Sequence, residues 1–179
     1  MRIISGSHRG KQLIAPKTLP VRPTTDFAKE SLFNILNNYF FFDSIKVLDL
    51  FAGTGNISYE FGSRACPDIT AVDSHVGCVQ YIRKTAEALA YPIEVVKSDV
   101  FTYLERCLSQ YDVIFADPPY DMEPERLERL IGMVFERNLL SEEGLLIVEH
   151  SSKVYLEEVP HFQEERRYGG TTFSLFNNE

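Results

Sequence analysis

Residues 47–56 read VLDLFAGTGN. A largely apolar run, Ile45–Phe51, holds one base, Lys46, and one acid, Asp49, and leads into two glycines, Gly53 and Gly55. A helical pattern follows near Ile57–Arg64. A short apolar run that enters a glycine turn and then a helix is the strand–turn–helix unit of a parallel sheet. Glycines in that turn let the backbone approach a ligand closely and take angles that a Cβ forbids. A dinucleotide fingerprint would need a third glycine at position 58, where Ser58 stands, so the full pyrophosphate motif is not met.

Downstream, the same unit repeats. Ile69–Asp73 reads as a second strand and His75–Ala90 as a second helix. Ile93–Lys97 is a third strand, followed by a short helix over Phe101–Leu108, and Val113–Ala116 is a fourth. Leu127, Leu130, Ile131, Val134 and Phe135 mark the stripe of a long helix, and EEGLLIVEH (142–150) a fifth strand. Glu164–Tyr168 and Thr171–Phe176, joined by Gly169-Gly170, read as an antiparallel hairpin. Five βα units closed by a hairpin predict an α/β fold of the class I methyltransferase (Rossmann-like) type. Its sheet is seven-stranded and mainly parallel, with helices on both faces.

Upstream, Ala28, Leu32, Ile35, Leu36 and Tyr39 recur at helical spacing behind Thr25, a suitable N-cap, and Asp26 in the first turn. Before them, Arg2–Gly6 and Lys11–Ala15 flank SHRG and predict a small β-hairpin. PKTLPVRP (16–23) is an extended connector. The chain thus divides into an arm, residues 1–23, and a methyltransferase-like domain, residues 24–179.

Charge divides the same way. The formal net charge is −8, yet residues 1–25 hold five of the 18 basic side chains and none of the 26 acids. Arg2, Arg9, Lys11, Lys17 and Arg22 therefore make a basic arm on an acidic body, suited to nucleic-acid phosphates. Three cysteines with no metal-like spacing and four scattered histidines suggest idle thiols in a reducing cytoplasm and no metal centre. No secretory signal or membrane-length apolar run is expected.

Three acids close successive strands or lie within them: Asp49, Asp73 and Asp99. A carboxylate ending the second strand accepts ribose hydroxyls, one ending the third can meet an adenine amino group, and Asp49 can pair with an ammonium. Acids without a basic residue suit a cofactor carrying an adenosine and a positive charge. S-adenosylmethionine has that character. The fourth strand then delivers Asp117-Pro118-Pro119-Tyr120. An exocyclic amino group is a poor nucleophile because its lone pair is delocalised into the ring. The Asp117 carboxylate and the Pro118 carbonyl can accept its two N–H groups, the prolines stiffen that segment, and Tyr120 offers a face for a flipped base.

VLDLFAGTG followed by DPPY resembles the amino-methyltransferases of nucleic-acid bases. MRIISGSHRGKQL, RPTTDFAKESLFNIL and RYGGTTFSLF, spanning Met1 to about Phe176, resemble the RsmD family. That resemblance implies methyl transfer to guanine N2 in 16S ribosomal RNA, free or in an assembling small subunit. A cytoplasmic monomer is expected. The resemblance also implies cofactor contacts from Arg22, Thr24, Thr25, Asp49, Phe51, Ala52, Gly53, Thr54, Gly55, Asp73, Asp99 and Val100. Asp117, Pro118, Pro119 and Tyr120 would form the catalytic motif. Asn56 and Ser58 depart from the small residue and glycine usual there, and Thr85 from asparagine. The rival enzyme reading is a DNA adenine-N6 or cytosine-N4 methyltransferase. Residues 121–179 are taken up by a helix, a strand and the hairpin, which leaves no stretch for a DNA target-recognition domain. A reading from another class is a non-catalytic RNA-binding module, against which an intact glycine loop and an intact DPPY both speak.

Overall fold

In the computed structural model, residues 1–22 and 24–179 are described, so Pro23, the last residue of the connector, lies outside the described residues. Seven strands form one sheet: β1 (Lys46–Leu50), β2 (Asp68–Asp73), β3 (Ile93–Lys97), β4 (Tyr111–Ala116), β5 (Leu140–Ser151), β6 (Phe162–Tyr168) and β7 (Thr171–Phe176). Their order is β3-β2-β1-β4-β5-β7-β6. The first five run parallel; β7 pairs antiparallel with both β5 and β6. The strand order reverses between β1 and β4, and the crevice beyond their carboxyl ends is where ligands bind in such sheets.

Strands β1 and β4 are apolar on both faces because both are covered. One face carries α1 (Asp26–Leu36), α2 (Asn56–Ser63) and α3 (Val76–Leu89). Val47, Val113, Phe115, Leu145 and Ile147 pack there against Leu32, Phe33 and Phe61. The other face carries α4 (Val100–Arg106) and α5 (Pro124–Glu136), with Leu48, Ile114, Leu146 and Val148 against Leu104, Leu130 and Val134. Thr25 caps α1, accepting the Ala28 N–H at 3.1 Å. Phe135, placed on the buried stripe by its spacing, is half-buried and stacks on His161 with centroids 4.0 Å apart.

The arm is no free appendage. Ile3 is buried among Tyr59, Val79 and Ile82, beneath α3. Its strand pairing is shorter than the pattern predicts: one antiparallel bridge, Arg2–Gln12, with a few flanking backbone bonds. The reason is competition. The N–H groups of Ile4 and Ser5 donate to the Glu60 carboxylate at 2.9 and 3.0 Å, and those of Ser7 and His8 to Ser63. Strand partners are thus replaced by the side of α2.

Glu60 is itself fully buried, 3.3 Å from the Lys29 ammonium of α1. Lys29 has three protons to donate, and the Arg2 carbonyl, Asn56 Oδ1 and Glu60 take one each. Arg64 closes on Glu60 from the next turn of α2. This clasp joins arm, α1 and α2 with every buried charge partnered, the condition under which such burial is tolerated.

Candidate active site

Strand β1 hands over to a tight loop in which Phe51, Gly53 and Gly55 all have positive φ (58°, 56° and 81°). The alternation turns the chain sharply enough for α2 to start at Asn56. Glycine is required at Gly55, where a Cβ would stand 2.7 Å from the Tyr59 ring. Asp73, at the end of β2, holds this loop. One carboxylate oxygen accepts the Gly53 N–H at 2.9 Å and the other the His75 N–H at 2.8 Å, leaving lone pairs on both.

The loop, the ends of β1, β2 and β4, and the connector enclose a cavity of about 370 Å³, within the size range of small-ligand sites. Asp49 rises into it from β1 and accepts the Ser58 hydroxyl at 2.6 Å. The serine that breaks the dinucleotide fingerprint therefore serves to hold a buried acid. Burial pushes Asp49 up to about 7, partly offset by Ser58, with Asp73 adding to the rise.

Asp117 follows β4 on the same face of the sheet, one pleat beyond Phe115, which is level with Asp49. Pro119 spends its carbonyl on the Met122 N–H at 2.9 Å, whereas the Pro118 carbonyl has no protein donor among the described residues. Tyr120 stands half-exposed at the rim, and the Arg22 guanidinium lies 5.7 Å from its ring centroid, a cation–π distance. On the adjacent strand β5, Leu145 and Ile147 share this face, and Glu149 continues it, nearly fully buried. The Thr24 hydroxyl donates to Glu149 at 3.3 Å. Burial raises Asp117 well above the usual carboxylate range, with the Glu149 and Asp49 charges adding to it. Burial likewise raises Glu149 to about 7, eased by Thr24 and Arg22.

Of the residues expected to hold a cofactor, Arg22, Thr24, Asp49, Phe51, Ala52, Gly53, Thr54 and Asp73 line the cavity, as do Asp117–Tyr120. Four others do not. Thr25 is spent on the α1 cap, Gly55 backs the loop against Tyr59, and Val100 is core. Asp99 is exposed at the start of α4, where it accepts the Thr102 N–H at 3.1 Å. The basic arm is also dispersed. Arg2 pairs with Asp26 at 3.1 Å. Backbone bonds from Ser7 and His8 to Ser63 set the neighbouring Arg9 at the far end of α2, about 12 Å of helix from the glycine loop. Only Arg22 of the five lines the cavity. Among the described residues, no group of three His, Cys, Asp or Glu side chains could hold a metal, and no helix is long and apolar enough to cross a membrane.

Sequence reasoning missed Glu149, Lys29 and Glu60. A signal existed for the first: Glu149 ends the apolar run Leu145–Val148 as Asp117 ends Val113–Ala116.

A doubly covered sheet of this order, with acids at its carboxyl edge and the DPPY segment beside them, defines a class I S-adenosylmethionine-dependent methyltransferase. The solved structure of coclaurine N-methyltransferase, bound to N-methylheliamine and SAH, shares that core. It is 26% identical with a TM-score of 0.57, over 72% of this chain and 36% of that one. The family described as Conserved hypothetical protein 95 matches residues 1–177. Ribosomal RNA small subunit methyltransferase D of Escherichia coli (strain K12) is 30% identical over 183 residues, covering 100% of this chain and 90% of that protein. The solved structure of yhhF from Escherichia coli superposes with a TM-score of 0.86 at 31% identity, over 100% of this chain and 98% of that one. The chain belongs to the RsmD family.

Proposed function

We propose that the protein methylates the exocyclic N2 of a guanine in small-subunit ribosomal RNA. The observation that carries this is the Asp117–Tyr120 segment: a carboxylate and a free Pro118 carbonyl at the cavity wall, beside a half-exposed aromatic ring. Two acceptors fit one amino group. Accepting both N–H bonds draws the nitrogen lone pair out of conjugation, and the proline-fixed backbone keeps that geometry without reorganisation. Stacking on Tyr120 would hold a base turned out of its helix, worth about 1–3 kcal/mol. The name of the Escherichia coli relative supports ribosomal RNA as the substrate class.

The cavity suits the cofactor. Bound there, S-adenosylmethionine supplies an electrophilic methyl group on a cationic sulfur. Asp73 would take the ribose hydroxyls through its remaining lone pairs. Asp49 would face the ammonium, and Arg22 and Thr24 would close the methionine end. Asp99, exposed and outside the cavity lining, would meet the adenine edge only from the rim. Arg9, Lys11 and Lys17, all exposed, would contact phosphates away from the reacting base. We place the protein in the cytoplasm as a monomer acting on an assembling subunit, where ribosomal proteins add contacts that an acidic body lacks.

The test is transfer of a tritiated methyl group to ribosomal RNA, to small subunits and to DNA from a strain lacking the protein, followed by nucleoside analysis. N2-methylguanosine is the expected product. N6-methyladenine in DNA would establish the rival enzyme, and RNA binding without transfer a non-catalytic module.

A further inference from the structure

Glu149 is absent from the cavity lining, yet it is placed to act on the residue that matters most there. Ala116 and Val148 are register partners across β4 and β5, so Asp117 and Glu149 are the next step on strands about 4.8 Å apart. Both follow the face that buries Val113, Phe115, Leu145 and Ile147. The connector crosses above them. Thr24 donates to Glu149, while Arg22 spans from the Glu149 neighbourhood to the ring of Tyr120. The charged and titratable groups acting on the two carboxyls are therefore Asp49 from β1, Tyr120 from the loop after β4, and Arg22 from the connector. From β7 the register partner of Glu149 is the uncharged Phe173. Among the described residues, neither a lysine nor a histidine is among the charges acting on them.

We propose that Glu149 is a positioning residue that shares one proton with Asp117. The pair holds that proton in the free protein, yields it when the positively charged cofactor docks, and takes one back from the amino nitrogen after methylation. Two like charges on adjacent strands in a dry site resist ionising together. A docked cation removes that resistance, and the proton leaves to water. Asp117 is then an anion with lone pairs free for the amino group. Once the amino nitrogen carries a methyl group and a positive charge, one N–H bond breaks with its electrons remaining on nitrogen. An O–H bond forms on Asp117, and the pair returns to its starting state. Both raised carboxyls fit this cycle. The inference rests on Asp117 being the acceptor proposed above, and it does not depend on which base is methylated.

Calorimetric titration at pH 7 in buffers of different ionisation enthalpy counts the protons released on binding, without RNA. The wild-type protein is expected to release about one proton with S-adenosylmethionine. It should release far fewer with S-adenosylhomocysteine, whose sulfur is neutral. Glu149→Gln keeps the Thr24 hydrogen bond but removes the like charge, so Asp117 ionises at lower pH and has less of its proton left to release. Release should fall by at least half, and the acid limb of the pH–rate profile should move down by about one unit. Glu149→Asp should restore both. Asp49→Asn subtracts whatever Asp49 itself releases. Unchanged proton counts and an unchanged profile in Glu149→Gln would reduce Glu149 to a tether for Thr24 and overturn the proposal. Should Glu149→Gln fail to fold, carboxyl-carbon NMR of the wild-type protein decides. Coupled two-step titration of Asp117 and Glu149 supports the pair, and independent titration refutes it.

Discussion

Two clusters of buried charge lie on the same side of the sheet and are built on opposite plans. In the Lys29–Glu60–Arg64 clasp, each ammonium proton has an acceptor and the carboxylate takes bonds from two backbone N–H groups and two cations. Along Asp49, Asp117 and Glu149, three acids have two hydroxyl donors and only Arg22 for a nearby cation, and none of the three is in an ion pair among the described residues. The first cluster is complete without a ligand and holds the arm down. The second is short of positive charge, and a cationic cofactor would supply it. Buried charge that is already matched builds the fold; buried charge left unmatched is what the proposed cofactor would complete.

Breaking each cluster should hurt a different property. Lys29→Met takes one of two cations from the buried Glu60 carboxylate and leaves the Arg2 carbonyl and Asn56 Oδ1 without their donor, and should cost about 3–5 kcal/mol in urea unfolding. Adding Glu60→Met should deepen that loss, because the Ile4 and Ser5 N–H groups and Arg64 then lose their acceptor as well. A single-variant cost below about 1 kcal/mol would abolish the contrast. Asp117→Ala should lower methyl transfer about 10²–10³-fold, with unfolding stability held or raised and cofactor affinity nearly kept. Loss of fold in that variant would place Asp117 in the wrong cluster.

The contrast sharpens with pH. A carboxyl raised in the folded state binds more protons there than when unfolded. Its stabilising contribution is whole below the ordinary carboxylate range and disappears as pH climbs through about 7. Thermal melts of the free protein should therefore lose stability from pH 5 to 8, and Asp49→Asn with Glu149→Gln should flatten that slope. Cofactor affinity should move the other way, rising by up to about tenfold per pH unit for each proton released. The smallest effect is expected far from both clusters. Replacing Arg9 and Lys11 with Gln should reduce the slope of log K for RNA against log salt by about 1.4, or about 0.7 per contact, with transfer at low salt unchanged.

Much of this was legible in the sequence, and the reasons differ by residue. Asp49 inside β1, Asp73 at the end of β2 and Asp117 just after β4 stand out because an acid in or after an apolar run is conspicuous in one dimension. Asp73 and Asp99 also satisfy helix or loop N–H groups, a local duty that explains their position without any ligand. Glu149 obeys the same rule, but neither a glycine turn nor a Pro-Pro-Tyr segment follows to single it out. Lys29 was harder. It lies on the buried stripe with Leu32, Phe33 and Leu36, and a charge there makes sense only once Glu60 on another helix is seen opposite it. The hairpin of the arm was over-read for a related reason: its N–H groups found a side-chain acceptor far along the chain instead of a strand.

The reach of two hydrogen bonds carries a consequence for how the molecule comes into being. Lys29 and Asn56, joined within the clasp, are 27 residues apart, while Thr24 and Glu149 are separated by 125. Contacts between near neighbours close early and distant ones late, because a longer loop must be gathered first. During synthesis the clasp can therefore lock as soon as α2 emerges, whereas the roof of the cavity must wait for β5. A nascent chain halted just short of β5 would own a fastened arm and every residue that lines the cavity, with the roof above them still untied.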